Sequence, residues 1–311
     1  MIIVLLLTNI RLPYYVNAPG GIIDISNRIE YKDKKEYKGS LNMLYVTEYI
    51  ATIPTYLMTY VLDNWDLEKI ENSQISNETP EEINVRNKIM LNNSVNNAKY
   101  VAYKAAGKEI KISNKKHKVM VTIAKCNLKI GDEILEVNNK KIDNLDEIKD
   151  IINDSKIGDS ISLKIIRNNK EKIIDEKIKK VKKEKALGVV IITDYEYETN
   201  PDIELKFKKD ESGASGGLMM SLSIYSSISD KDILKNRNVA GTGTIDINGK
   251  VGEISGVKYK IMGAAKNNMD IVLVPSANYK EAIKTKKDNN YKNLEIVSVD
   301  TFQDAIDYLE N

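Results

Sequence analysis

The octapeptide Asp210-Glu211-Ser212-Gly213-Ala214-Ser215-Gly216-Gly217 joins a strand-like run, residues 203–208, to an apolar run, residues 218–225, with helical periodicity. A serine among such small residues at a strand-to-helix turn can be exposed. Its oxygen can also sit beside backbone N–H groups that the first helical turn leaves free. A nucleophilic serine needs both conditions, because the oxyanion it generates must meet donors. Most Gly/Ala/Ser turns before helices are structural, so this one takes its meaning from the segments C-terminal to it.

After the helical run come Val239-Ala240-Gly241-Thr242-Gly243-Thr244-Ile245-Asp246, an Asn248-Gly249 hairpin turn, and a glycine-opened helix carrying Lys258-Tyr259-Lys260. This order of serine turn, helix, strand, hairpin and lysine helix resembles the proteolytic domain of Lon peptidases. It resembles more closely the PDZ-containing Lon-like peptidases of bacteria, from Leu187 to the end and more weakly through the whole chain. The resemblance implies a Ser-Lys dyad, with Ser215 as nucleophile, Lys260 as general base and the Thr242 hydroxyl bonded to the lysine. It implies an α/β (α+β) fold in which a PDZ-like domain precedes a Lon-type proteolytic domain.

Ser212, Ser221 and Ser223 compete with Ser215. Ser221 and Ser223 fall inside the helical run, where hydroxyls bond preceding carbonyls, and Ser212 opens the turn as a cap. Gly213, Ala214 and Gly216 flank Ser215 and leave room for a substrate backbone. The family's Pro-Ser-Ala-Gly stands here as Ala214-Ser215-Gly216-Gly217. Both changes loosen the turn. They support an alternative reading, a non-catalytic PDZ-based peptide-binding protein with a degenerate Lon-like domain.

On the second helix Val257, Ile261, Ala264 and Ala265 form an apolar stripe, flanked on opposite sides by Lys258 and Lys260. Helical geometry leaves the choice of lysine open; the resemblance selects Lys260. A lysine base must be largely deprotonated near neutral pH, which burial achieves. Two other motifs fail. Ser255-Gly256-Val257-Lys258 has the Ser-x-x-Lys of penicillin-binding enzymes without its companion motifs. Residues 243–251 approach a P-loop with the wrong glycine spacing, and with Val251 where a hydroxyl must meet magnesium. With no other P-loop candidate in the sequence, the expected peptidase is ATP-independent and limited to unfolded, flexible or locally exposed protein or peptide substrates.

The 311 residues carry 47 basic and 45 acidic side chains, a net charge of +2 that gives no general push toward nucleic acid or membrane. Cys126 and His117 are the sole residues of their types. A zinc site of His and Cys therefore lacks ligands, and no metal or cofactor is expected. A Ser-His-Asp triad would have to use His117, which the sequence puts in a solvated basic turn, Asn114-Lys115-Lys116-His117-Lys118. Cys126 reads as a small buried thiol.

Met1 to Leu7 is apolar but shorter than the roughly 20 residues that span a bilayer. The residues alone suggest a buried strand. The family begins with a membrane anchor followed by a segment similar to Leu12-Pro13-Tyr14-Tyr15-Val16-Asn17-Ala18-Pro19-Gly20. The resemblance thus implies a truncated anchor within residues 1–20, association with a cell membrane through the N-terminus, and an extracytoplasmic catalytic part. A homo-oligomer stays open.

Residues 21–106 read as an α/β segment, with a strand over 39–47, a helix or buried hairpin over 51–62, and a helix opened by Thr79-Pro80-Glu81-Glu82. Residues 107–183 contain Leu128-Lys129-Ile130-Gly131-Asp132-Glu133-Ile134-Leu135-Glu136-Val137-Asn138 and a later Gly158–Asn168 run, which together resemble a PDZ domain. Such a domain adds a peptide strand to an open sheet edge. Its carboxylate-binding loop is expected just before Val119, although residues 113–118 lack the usual glycines. Residues 184–311 make up the expected proteolytic domain.

Overall fold

A computed structural model describes residues 8–31, 37–70, 78–229 and 231–311. Contacts divide the described residues into two compact units. One draws on residues 1–74, 97–110 and 199–311, the other on residues 75–96 and 111–198. The expected anchor falls on Met1–Leu7, outside the described residues. No helix among the described residues is long and apolar enough to cross a membrane.

In the first unit, β1 (Arg11–Asp24) and β2 (Ser40–Thr52) pair antiparallel, from Arg11 opposite Thr52 to Asp24 opposite Asn42. The other edge of β1 takes β3 (Asp66–Lys69), with Tyr14 opposite Lys69 and Asn17 opposite Asp66. Between β2 and β3 lies a short helix, α1 (Ile53–Met58). The sequence predicts a helix or a buried hairpin over 51–62. The helix is there, but Leu57, Met58, Tyr60, Val61 and Leu62 face solvent. Apolar composition predicts burial only if some other element arrives to cover it.

The helix α2 (Pro80–Ala105) begins where its capping signal places it. Thr79 N–H donates to Glu82 Oε2 at 2.9 Å, and Glu82 N–H donates to Thr79 Oγ1 at 3.2 Å, a reciprocal capping box. The second unit continues with β4 (Glu109–Thr122), β5 (Glu133–Val137), α3 (Leu145–Asp154), β6 (Ser160–Arg167), β7 (Lys170–Lys177) and β8 (Val189–Asn200). The strands form a sheet in the order β8-β4-β5-β6-β7. The β6–β7 turn places Asn168 and Asn169 at φ of 53° and 59°, the left-handed pair that a tight hairpin demands. Val119, Ile134, Ile148, Leu163 and Leu187 share one buried cluster beneath α3 and the sheet.

Two expectations fail in β4. His117 is 3% exposed, inside the strand, with Nδ1 3.0 Å from Thr193 Oγ1 on β8. Residues 113–118, the expected carboxylate-binding loop, are strand throughout. The cause is alternation with a period of two: His117, Val119 and Val121 turn inward while their lysine neighbours turn outward. Those lysines are matched across the strand pair, Lys116 with Glu196 and Lys118 with Asp194. Cys126 is half-buried; its thiol donates to Leu128 O at 3.4 Å, and burial pushes its pKa up.

The chain then completes the first unit with α4 (Gly217–Ile228), β9 (Asn238–Gly241), α5 (Val257–Lys266), β10 (Ile271–Pro275), α6 (Ser276–Asp288), β11 (Glu295–Val299) and α7 (Phe302–Glu310). Strand β9 pairs in parallel with both β2 and β10, and β10 with β11. The result is one six-stranded sheet in the order β11-β10-β9-β2-β1-β3. Two strands are shorter than the sequence suggests. Within residues 203–208 only Glu204–Leu205 pairs, with Ile29–Glu30. The run 238–247 breaks at Thr242–Gly243, between β9 and a two-residue pairing of Thr244–Ile245 with Val251–Gly252.

Leu44, Ala240, Val257, Ile261, Val272 and Val274 knit sheet and helices into one core. The lead-in to α5 is fixed by Asn278, whose Oδ1 accepts from Ile254 N–H at 3.0 Å and whose Nδ2 donates to Ile254 O at 2.9 Å. Both partners are buried, so Asn278→Leu would orphan a backbone donor and a backbone acceptor. Urea unfolding should show a loss of about 2 kcal/mol for this variant. An unchanged midpoint would mean that the clamp contributes nothing.

Candidate active site

Helix α4 is buried at every position from Gly217 to Ile228. Its apolar side chains are joined by serines, of which Ser221 and Ser227 bond carbonyls one turn back, so the helix can sit inside the core. It brings its N-terminus, with the partial positive charge of unpaired N–H groups, to the serine turn. Gly213 enters that turn at φ 91°, which a side chain rarely adopts. Ser215 is half-buried, and Gly216 caps the helix. Gly217 N–H donates to Ala214 O at 3.2 Å and Leu218 N–H to Gly243 O at 3.1 Å. The N–H groups of Ser215 and Gly216 meet no acceptor among the described residues.

The turn is held from the broken strand. Gly243 N–H donates to the Ser215 carbonyl at 2.8 Å, and Thr242 Oγ1 donates to the same carbonyl at 3.1 Å. Thr242 Oγ1 in turn accepts from Lys260 Nζ at 3.1 Å. Ser215, Thr242 and Lys260 are thereby joined through one hydroxyl. The residues at which the strand 238–247 fails are the ones that reach across to the serine.

Lys260 is 4% exposed, and desolvation pulls its pKa from 10.5 to about 8. It lies on α5, which opens at Gly256 with φ 70°; a Cβ there would come within 2.8 Å of Val46 Cγ2. Lys258 has a different fate. Its Nζ lies 2.7 Å from Asp66 Oδ2 on β3, and the Tyr259 hydroxyl donates to the same oxygen at 2.6 Å. Among the described residues no carboxylate pairs with Lys260.

The neighbouring small residues have separate reasons. Gly216 has φ −91°, open to any residue, but a Cβ there would lie 1.9 Å from Met43 Sδ. The Met43 thioether thus fills the space of an alanine methyl. Ser221 Oγ donates to Gly217 O at 2.9 Å, as a helical serine does. Ser212 is exposed. Sequence reasoning missed Met43 and Asp66, because both arrive from the first seventy residues by strand pairing, which leaves no local signal.

Burying an amine has a measurable cost. Between about pH 8 and 10.5 the unfolded chain holds a proton that folded Lys260 lacks, so stability rises with pH across that window and the penalty is fully present below it. Lys260→Met should therefore stabilise the protein at neutral pH by something on the order of 3 kcal/mol, a gain that fades toward pH 10. Equal stability of the two proteins in urea at neutral pH would contradict the buried amine.

The model of the Lon protease (S16) C-terminal proteolytic domain matches residues 202–310, and the PDZ domain model matches residues 110–178. The Lon protease of Campylobacter jejuni is 40% identical over 96 residues, 31% of this chain and 12% of that protein. The Lon protease of Mesomycoplasma hyopneumoniae is 35% identical over 97 residues, 31% of this chain and 11% of that protein. The chain thus matches only about an eighth of each of these relatives. Among solved structures, the PDZ domain of an SdrC-like protein from Listeria monocytogenes aligns at a TM-score of 0.25 and 22% identity, covering 26% of this chain and 93% of that one. Residues 202–310 thus match the family of Lon proteolytic domains, and residues 110–178 ahead of them match the PDZ domain family.

Proposed function

We propose that the protein is an ATP-independent serine endopeptidase that works through a Ser215–Lys260 dyad. The observation that carries this reading is the buried Lys260 amine, with a pKa of about 8 and a hydrogen bond to the hydroxyl that also binds the serine turn. Ser215 Oγ attacks a peptide carbonyl while Lys260 Nζ takes its proton. The oxyanion meets the N–H groups of Ser215 and Gly216. The lysine then protonates the leaving amine, and the C–N bond breaks to leave an acyl-serine. Water, deprotonated by the same amine, releases it. Thr242 orients Nζ throughout. ATP independence is supported by residues 243–251, which approach a P-loop with the wrong glycine spacing and with Val251 in place of the hydroxyl that would meet magnesium.

Substrate presentation by the PDZ domain belongs to the same proposal. Strand β8 is the terminal strand of its sheet, and Val190 on it is exposed. Val189 and Ile191 of β8 and Leu145, Ile151 and Ile152 of α3 are half-buried against one core. An extended peptide can add to such an edge by main-chain hydrogen bonds. Gly188, with φ 85°, makes the turn that leads into it. We further place the protein at the outer face of a cell membrane, on the strength of the apolar run Ile2–Leu7 followed by Leu12–Gly20.

Two experiments test these readings. Cleavage of an unstructured fluorogenic peptide should fall about 100- to 10,000-fold in Lys260→Ala and vanish in Ser215→Ala, while Lys258→Ala keeps most activity. Lys260→Arg should also fail, since a guanidinium stays protonated. The rate should climb with pH and level off above about pH 8, following the neutral amine. An intact Ser215 that no serine-directed reagent labels would favour the alternative of a degenerate Lon-like domain serving a peptide-binding protein.

The second experiment uses Ser215→Ala, which holds substrate uncleaved. An added peptide should slow hydrogen exchange at residues 189–192. Unaltered exchange there, with binding demonstrated, would remove β8 as the docking edge.

A further inference from the structure

The segment Ile53-Pro54-Thr55-Tyr56-Leu57-Met58-Thr59-Tyr60-Val61-Leu62 carries no charge. Yet Leu57 is 58% exposed, Tyr60 71% and Val61 81%, with Met58 and Leu62 also open to solvent. Contiguous apolar surface of this kind marks a contact with something other than water. The segment is also braced from within. The Tyr14 and Tyr56 rings lie 5.6 Å apart and the Tyr56 and Tyr60 rings 5.7 Å apart, while the Tyr56 and Tyr60 hydroxyls lie 3.1 Å apart.

The strand register says what else stands at this place. Arg11 opposite Thr52 sets the start of β1 beside the end of β2, from which the exposed tip grows. Exposed Ile10 therefore stands at the same end of the sheet as the tip, and the apolar run Ile2–Leu7 precedes it in sequence. Exposed Arg11, and exposed Lys69 opposite Tyr14, put positive charge at that end. Aliphatic side chains without charge, an exposed tyrosine and nearby cations are the chemistry that settles at the boundary of headgroups and acyl chains. Exposed Asp63, which follows Leu62, marks where the tip turns back toward water.

We infer that residues 53–62 seat in the interfacial layer of a lipid bilayer, as a second contact beside whatever the N-terminal run provides. The inference rests on the proposed membrane location, and it adds a specific surface to it. A tip embedded this way fixes how the catalytic unit stands above the bilayer, which a single tether cannot do.

Trp65 supplies a native probe, being the chain's one tryptophan and lying just past the tip. The full chain is mixed with phosphatidylcholine vesicles containing phosphatidylglycerol, and binding is read by flotation. Trp65 emission should shift to the blue, and brominated acyl chains should quench it. The double substitution Tyr60→Ser/Val61→Asp, at exposed positions and with the thermal transition checked, should weaken partitioning at least tenfold and abolish the quenching. A protein with Ile2–Leu7 changed to serines should retain quenching at higher lipid. If the chain floats but Trp65 is not quenched and the double variant floats as well, the tip inference is overturned while the membrane location stands. If the chain does not float at all, both fall. A dimer by light scattering that the double variant dissolves, with no vesicle binding, would assign the tip to a second copy of the chain and overturn the inference.

Discussion

One carbonyl oxygen organises the candidate site. Ser215 O accepts from Gly243 N–H and from the Thr242 hydroxyl, so two donors of the broken strand fix the turn from outside. The same hydroxyl accepts from Lys260 Nζ, and α5 can deliver that amine only because Gly256 allows the helix to start against Val46. Each part uses ordinary local chemistry. Their convergence depends on the parallel pairing of β9 with β2, which sets the level at which the broken strand meets the buried helix α4. An amine in this setting stays poised near neutrality because burial, with no opposing carboxylate among the described residues, is what shifts it.

The serine turn, the threonine and the lysine pair were legible in the sequence because their signals are local: small residues before an apolar helix, a hairpin, a glycine-opened helix. The choice between Lys258 and Lys260 was not legible from the residues. A helical wheel knows only its own helix, and what separates the two is Asp66, carried in on β3 from nearly two hundred residues away. The family resemblance supplied the choice that periodicity could not.

The misreadings share a cause. The basic run around His117 looked like a solvated turn because its composition hid the alternation that buries every second residue. The tyrosine-rich run after Ala51 looked like core because composition does not reveal whether a covering element exists. The strand leading to the serine turn was overestimated at residues 203–208, where neighbours with strand propensity find only a two-residue partner. A helix boundary fared better where a cap was written in the sequence, as at Thr79, because a cap is a hydrogen bond within one turn.

The sheet that carries the site draws β1, β2 and β3 from the first seventy residues and β9, β10 and β11 from the last seventy-five, with the second unit's residues between them in sequence. Pairing β2 with β9 closes a loop of nearly two hundred residues, and such distant contacts form late. During synthesis β1, β2 and β3 can pair with one another early, but the far edge of β2 must wait until β9 has been made. The serine turn and the lysine helix have nothing to be clamped against before then. The order of translation thus keeps the serine turn and the lysine helix without their clamp until residue 260 has been made, long after β1 and β2.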